Sequence, residues 1–435
     1  MFSSMGYHTF AISMNLTQEE ASQLFKDFKK YRDKTKEICI IECPKYAKDP
    51  FGRHLEVKYY GQYKGISWKI RFSNQGFLID GRFMPCSVKA VINPKILLGE
   101  NCYIIAAHAD YLEKIEKIFN DEAAKISPIL KSFYHYSLNR LDYCINFDIS
   151  ELEIAPIQFK RALPEMIMEL IKCADIPKNF SEEYKEKNQF YLKSGTVVIN
   201  CYWKYVDFTR NFPECNDLEK SYGIIRFEVQ YKYPKVYETL EKIKADFGKF
   251  RSGMIVKLRE QAFYDSGKNP NEADRLKYEH TLEMLKGDVT DSRLKKMYLM
   301  NMMSDEKCFE VIKKYFKKTI KLGSYYTLDV ARKKIEADVS GWEKISRLTD
   351  VLELIQTSGG IANAKASIDG KELEDFRRSL RDLERLRINP VTIPEKWGIK
   401  SMPCLFDAYY NKLDKEQADG TNEDLKKYPA KNHWE

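Results

Sequence analysis

Three stretches of this chain alternate between apolar and polar residues, with the two-residue period of a β-strand that has one side in a core. They are residues 138–149, 196–205 and 222–232. A single strand of this kind is usually a one-sided strand that shows its polar side to water. Three of them constrain the fold much more, because their apolar sides must cover a core and their polar sides can then form one shared surface.

The polar sides of the three stretches carry acids, bases and a phenol. The first contributes Arg140, Asp142, Cys144, Asn146 and Asp148, the second Asn200, Tyr202 and Lys204, and the third Arg226, Glu228, Gln230 and Lys232. Residues two apart on one side of a strand lie about 6.6 Å from each other, so each arginine can steady its neighbouring carboxylate. Such a surface combines a divalent-metal site with a phenolic nucleophile.

The composition of the whole chain is that of a globular protein. Of its 435 residues, 43% are hydrophobic and 31% are charged, and no apolar run is long enough to span a membrane. The ten cysteines form no CxxC pair and the six histidines form no HxH or HExxH pattern. This spacing argues against a disulfide framework and against a histidine-built metal site. We therefore expect a cytoplasmic protein that does not enter a membrane.

The charge of the chain is mildly basic. A net charge of +8, from 72 basic and 64 acidic residues, permits nucleic-acid binding without requiring it. One helix-like segment, VIKKYFKKTIK, concentrates the positive charge at Lys313, Lys314, Lys317 and Lys318. The simpler interpretation is a solvated helix face, and the alternative is a stripe that follows DNA phosphates.

The order of strand-like and helix-like segments predicts an α+β fold. A first strand and a helix with a Thr17–Glu20 capping box lead into a meander of short strands, and the three alternating stretches follow with helices between them. This order suits one antiparallel sheet with helices on one face. Helical periodicity dominates afterwards, so we predict an α+β domain over residues 1–250, an all-α accessory or DNA-binding domain over 251–415 and a mobile polar tail over 416–435.

Three short motifs, RLDYCIN, YWK and IIRFEVQ, resemble the replication initiation factor (Rep_trans) family, which contains rolling-circle replication initiators of plasmids and phage-like elements and relaxases of conjugative elements. The likeness covers roughly residues 132–235. It implies a divalent-metal-dependent endonuclease that nicks one DNA strand at an origin and joins the new 5′ phosphate to a tyrosine. The family's Arg-x-Asp, Arg-x-Glu and Tyr-x-Lys elements match Arg140 and Asp142, Arg226 and Glu228, and Tyr202 and Lys204.

The chemistry of the matched residues is compatible with these implied roles. Mg²⁺ or Mn²⁺ held by carboxylates neutralises phosphoryl oxygens, and we take Asp142 and Glu228 as its ligands. A tyrosine is a poor nucleophile at neutral pH unless a cation stabilises its phenolate, and Lys204 is predicted on the same strand side as Tyr202. The competing Tyr205 has the parity of the apolar side, so we prefer Tyr202 as the nucleophile.

The third metal ligand departs from the family pattern. Many relatives have a second aspartate four residues after the first, whereas this chain has Asn146 there and Asp148 two residues further on. We take Asp148 as the third ligand. Arg140 and Arg226 complete the catalytic set.

The other polar residues of the surface are expected to contact DNA. They are Asn146, Asn200, Gln230 and Lys232, with the four lysines named above. The expected partners are origin DNA, single-stranded or extruded as a hairpin, with a host helicase and a homodimer as further candidates. Three alternatives stay open: a conjugative relaxase with the same chemistry, a non-catalytic DNA- or RNA-binding regulator, and a metal-dependent nuclease without a covalent intermediate.

Overall fold

An antiparallel sheet of ten strands forms the centre of the structure, a computed structural model. It describes residues 5–36, 38–42, 54–59, 65–72, 78–79, 82–83, 86–99, 106–152, 161–182, 189–211, 218–246 and 291–409. The strands are β1 (Met5–Leu16), β2 (Ile38–Glu42), β3 (His54–Tyr59), β4 (Ile66–Arg71), β5 (Leu78–Ile79), β6 (Arg82–Phe83), β7 (Cys86–Ile92), β8 (Ser137–Asp148), β9 (Ser181–Glu182), β10 (Gln189–Lys193), β11 (Val197–Trp203), β12 (Ile224–Tyr231), β13 (Tyr325–Tyr326) and β14 (Ser401–Met402), of which the last two pair with each other. The sheet has the order β2-β3-β4-β7-β1-β8-β12-β11-β10-β9, while β5 and β6 pair separately.

Helices follow from capped, amphipathic segments. They are α1 (Gln18–Thr35), α2 (Pro94–Leu97), α3 (Leu112–Ile126), α4 (Leu163–Lys172), α5 (Lys204–Asn211), α6 (Asp291–Met302), α7 (Asp305–Thr319), α8 (Leu328–Asp338), α9 (Trp342–Thr357), α10 (Ile361–Ala366) and α11 (Gly370–Arg385), and residues 233–246 are helical too. The predicted capping box is confirmed, because the Thr17 hydroxyl accepts from the Glu20 amide and the Glu20 carboxylate accepts from the Thr17 amide. None of the described helices is long and apolar enough to cross a membrane.

One continuous core lies against the apolar side of the sheet. On β4, the ring of Trp68 lies 5.3 Å from that of Phe119 on α3 and 6.2 Å from that of Phe28 on α1. On α7, the ring of Phe316 lies 5.7 Å from that of Phe147 on β8 and is also in contact with β12. Helices from both ends of the chain therefore cover the same sheet, and the predicted α+β class, an antiparallel sheet with a helical C-terminal region, is confirmed.

The packing of α7 bears on the predicted domain organisation. Besides the Phe316 contacts, the Tyr143 hydroxyl on β8 donates to the Met302 carbonyl at 2.8 Å, and the Cys308 thiol donates to the Gly6 carbonyl at 3.0 Å. Thus α6 and α7 share the core of the sheet, although the sequence grouped them with a separate helical domain. The boundary near residue 250, the helices predicted over 252–263 and 271–285, and the tail over 416–435 lie outside the described residues.

Candidate active site

The three alternating stretches form neighbouring strands, in the order β8-β12-β11. Their register aligns the polar residues in rows across the sheet. One row joins Cys144, Glu228 and Asn200, and the next row joins Asn146, Arg226 and Tyr202. Since opposed residues on neighbouring strands point to the same side, these side chains form one polar surface on the side of the sheet away from α7.

Glu228 is the centre of this surface. Its Oε1 atom accepts a hydrogen bond from the Tyr202 hydroxyl at 3.0 Å, and it lies 3.1 Å from Nδ1 of His8 and 3.5 Å from Nη1 of Arg226. Burial alone would raise the pKa of Glu228, but His8 and Arg226 outweigh it and lower the pKa to about 2. The carboxylate is therefore ionised at every physiological pH.

Tyr202 is a protonated hydrogen-bond donor in this arrangement. Burial and the negative charge of Glu228 raise the pKa of its hydroxyl well above the ordinary value. The side chain is nevertheless only half-buried, and it forms part of the wall of a surface cleft of about 140 Å³. Tyr202 is thus reachable from solvent on one side and bonded to Glu228 on the other.

Lys204 sits beside the tyrosine, but on a different element from the one predicted. Strand β11 ends at Trp203, and Lys204 is the first residue of α5. Its Nζ atom still lies 5.4 Å from the centre of the Tyr202 ring and donates to Oδ2 of Asp207 at 2.6 Å. Burial to 2% exposure, followed by the charge of Arg226, lowers the pKa of Lys204 to about 8.

Asp142 forms a second acidic position, held by Arg140 and Thr9. Its Oδ2 atom accepts from Nη2 of Arg140 at 2.7 Å and from the Thr9 hydroxyl, and the same Arg140 nitrogen also donates to Thr9 at 2.6 Å. The other carboxylate oxygen, Oδ1, is buried and has no hydrogen-bond partner among the described residues. An acceptor without a donor is costly in a protein interior, so Oδ1 is well suited to take a cation.

A β-bulge in β1 supplies two residues that the sequence analysis missed. Tyr7 pairs with Tyr143 and Phe10 with Leu141, so His8 and Thr9 together oppose the single residue Asp142. The bulge turns His8 toward Glu228 and Thr9 toward Asp142. The signal in the sequence is a change of parity, because the buried residues of β1 are Met5 and Tyr7 before the bulge and Phe10 and Ile12 after it.

The acids only partly meet the requirements of the expected metal. No group of three His, Cys, Asp or Glu side chains within the described ranges could hold a metal ion. The predicted third ligand, Asp148, accepts a hydrogen bond from the Ser150 amide at 3.1 Å. In the register of β8 and β12 it lies opposite Ile224, two residues along from the Asn146–Arg226 pair. Mg²⁺ is commonly held by one or two carboxylates together with substrate phosphates. Asp142, with its unpaired Oδ1, and Glu228 fit that pattern.

Two of the polar residues expected to contact DNA have structural roles. Asn146 is fully buried and accepts from Nε of Arg226 at 2.6 Å, which orients the guanidinium. Lys232 donates to the Ser194 carbonyl at 2.6 Å, in the turn between β10 and β11. Both side chains are therefore engaged within the protein. Gln230, which pairs with Asp142 in the register, and Asn200 remain half-buried.

The predicted lysine stripe lies on the wrong side of the sheet to join this surface. Lys313, Lys314, Lys317 and Lys318 belong to α7, which packs on the apolar side. Lys317 forms an ion pair with Glu384 of α11 at 2.6 Å. These lysines are therefore separate from the polar surface around Tyr202, and their contact with DNA phosphates stays a prediction.

No protein-family model and no curated protein sequence matches this chain. Among solved structures, the chain matches the rolling circle replication initiator protein from Geobacillus stearothermophilus, with 10% sequence identity over 56% of this chain and 80% of that chain. The TM-score of that match is 0.25, and a likeness of this strength carries no argument about fold or function.

Proposed function

We propose that this protein is a DNA strand-transferring endonuclease that nicks one strand at an origin and carries the new 5′ phosphate on Tyr202, as in rolling-circle replication. The observation that carries the proposal is the hydrogen bond from Tyr202 to Glu228, on a polar surface that also holds Arg226 and Lys204. A structural tyrosine would need only one acceptor. A nucleophile needs an acceptor that orients its hydroxyl and positive charge near its oxygen, and both lie within this cluster.

The chemistry would proceed in two balanced steps. The Tyr202 oxygen attacks the phosphorus and the bond from phosphorus to the 3′ oxygen breaks. The phenolic proton ends on that 3′ oxygen, so the strand leaves with a 3′ hydroxyl while the 5′ phosphate stays on the tyrosine. In the reverse step, a 3′ hydroxyl attacks the phosphotyrosine, the bond from phosphorus to the Tyr202 oxygen breaks, and the proton returns to the phenol as the phosphodiester is restored. Glu228 orients the phenol and takes its hydrogen bond, while Arg226 and Lys204 offset the negative charge that develops.

Asp142 and Glu228 are the residues that would hold Mg²⁺ or Mn²⁺. The bound cation would supply positive charge to the phosphoryl oxygens. Arg140 and Thr9 fix the orientation of Asp142 through its Oδ2 atom, while Oδ1 has no hydrogen-bond partner among the described residues.

The proposal is tested with the full chain, Mn²⁺ and a supercoiled plasmid that carries the DNA flanking its gene. We expect nicked circles and a denaturation-resistant protein–DNA adduct. Tyr202→Phe should abolish the adduct, while the matched control Tyr205→Phe, on the neighbouring helix, should retain it. An adduct of normal yield in Tyr202→Phe would remove Tyr202 from the reaction.

The second candidate is a DNA- or RNA-binding regulator without catalysis, in which Tyr202 keeps its proton because its pKa is raised well above the ordinary value by burial and Glu228. It predicts binding that weakens steeply with salt, does not change with chelator and never yields a nick. A relaxase of a conjugative element would share the proposed chemistry. Cleavage of a hairpin origin beside the gene supports replication, and cleavage within adjoining transfer genes supports conjugation.

A further inference from the structure

The cleft beside Tyr202 has no part in the chemistry proposed above. It has a volume of about 140 Å³ and lies between the β10–β11 hairpin and α5. Tyr202 forms one wall, and the other polar lining residues are Gln189, Asn200, Asp207 and Arg210. A ligand in this cleft would contact the same tyrosine that faces Glu228.

The two amides of the cleft form a matched pair. Gln189 and Asn200 lie on adjacent strands, and Nε2 of Gln189 donates to Oδ1 of Asn200 at 2.8 Å. This bond uses one donor and one acceptor. It leaves the Asn200 amide nitrogen as a donor and the Gln189 carbonyl as an acceptor, with no other hydrogen bond within the described residues. Both side chains are half-buried, so a ligand can reach them.

The charges around the cleft suit a nucleotide. Asp207 would repel a phosphate if it were alone, but its carboxylate is 2.6 Å from Nζ of Lys204. Arg210 is exposed on the last turn of α5 and is one of the residues that line the cleft. An apolar ligand would gain little here, since five of the seven lining residues are polar or charged and only Trp203 and Val206 are apolar.

We infer that this cleft receives one unpaired base of the DNA strand, next to the phosphate that Tyr202 attacks, and that it prefers adenine. An amide donor beside an amide acceptor complements the N7 acceptor and N6 donor of adenine. A base must leave the duplex to enter a cleft of this size, which selects single-stranded DNA. This inference rests on the proposed function and adds a base preference to it.

The test measures binding alone, without cleavage. Fluorescence anisotropy of the full chain in EDTA is recorded with labelled single-stranded oligonucleotides of equal length, made of dA, dT or dC. We expect the dA oligonucleotide to bind about tenfold more tightly than the others. Asn200→Ala and Gln189→Ala should reduce this preference to less than about twofold without changing the salt dependence, because phosphate contacts set that dependence.

Gln23→Ala, which removes an exposed amide of α1, is the matched control and should keep the full preference. Thermal melting of each variant is used to check that Asn200→Ala and Gln189→Ala are folded. Equal binding of all three oligonucleotides by the unsubstituted protein, or an unchanged preference in both amide variants, overturns the inference and leaves adduct formation by Tyr202 standing. A protein that binds none of the oligonucleotides at low salt overturns both the inference and the proposed function.

Discussion

Tyr202 and Glu228 are joined by a hydrogen bond of 3.0 Å, and they lie diagonally across β11 and β12 rather than opposite each other. The residue directly opposite Tyr202 is Arg226, whose guanidinium is fully buried and lies 3.5 Å from Oε1 of Glu228. The phenol, the carboxylate and the guanidinium therefore form a triangle. Because a buried guanidinium is stable only with a partner charge, this geometry predicts how the site responds when one corner is removed.

Removing the charge of Glu228 should destabilise the protein. Glu228→Gln keeps the shape of the side chain but leaves Arg226 buried without its carboxylate partner, so we expect a loss of about 3 kcal/mol in the free energy of unfolding. Urea denaturation measures this loss. Lys242→Ala breaks the exposed Lys242–Glu238 ion pair as a control and should cost less than about 1 kcal/mol. Equal effects of the two substitutions would contradict the importance of the buried pair.

The rate of adduct formation should fall as the pH rises through about 8. Lys204 has its pKa lowered to about 8, so its ammonium is charged below that pH and neutral above it. The hydroxyl of Tyr202 does not compensate, because its pKa is raised well above 10 and it stays protonated in this range. Single-turnover rates between pH 6.5 and 9.5 measure the fall.

Lys204→Arg separates this effect from other titrations. Arginine stays charged at every pH in that range, so the decline above pH 8 should disappear even if the overall rate drops. If the single-turnover rate of Lys204→Arg still declines with the same midpoint pH, then the titrating group is not Lys204.

The periodicity of the sequence was enough to predict β8, β11 and β12, because a two-residue alternation is a local property that a strand must satisfy. The same reasoning predicted that Lys204 lies on β11, and that prediction is wrong. The alternation continues through Tyr202 to Lys204, but the chain has already entered α5 at that residue. Alternation of two or three residues cannot tell a strand end from the first turn of a helix.

Contacts between segments that are far apart in the chain could not be predicted from the sequence. Gln189 lies on a five-residue strand that the sequence analysis did not single out, and only pairing with β11 brings it beside Asn200. His8 reaches Glu228 because of a bulge, whose position depends on the partner strand. The lysines of α7 were judged by their charge, but their location follows from the apolar side of that helix.

The shared core of the sheet and α7 predicts cooperative unfolding. Phe316 is 1% exposed and contacts rings on both β8 and β12. Phe316→Ala should lower the free energy of unfolding by about 3 to 5 kcal/mol, and the sheet and helix signals should still change in one transition. As a control, Trp342→Ala at a 79% exposed position should change the free energy of unfolding by less than about 0.5 kcal/mol. Two separate transitions would instead indicate that α7 belongs to an independent domain.

His8 should act as a positioning residue for Glu228 without touching the phosphate. Nδ1 of His8 lies 3.1 Å from the same Oε1 atom that accepts from Tyr202. A hydrogen bond to a charged acceptor is worth about 1.5 to 3 kcal/mol, so His8→Ala should slow adduct formation by roughly tenfold to a hundredfold. His8→Asn retains a donor on a shorter side chain and should restore part of the rate.

The kinetic parameters separate positioning from a merely structural role. Because His8 orients Glu228 rather than binding DNA, His8→Ala should lower the single-turnover rate while the oligonucleotide dissociation constant stays within about twofold. Its melting temperature should stay close to that of His8→Asn. If the dissociation constant rises as much as the rate falls, then His8 contacts the DNA directly, and the bulge in β1 contributes to binding rather than to the alignment of Tyr202 and Glu228.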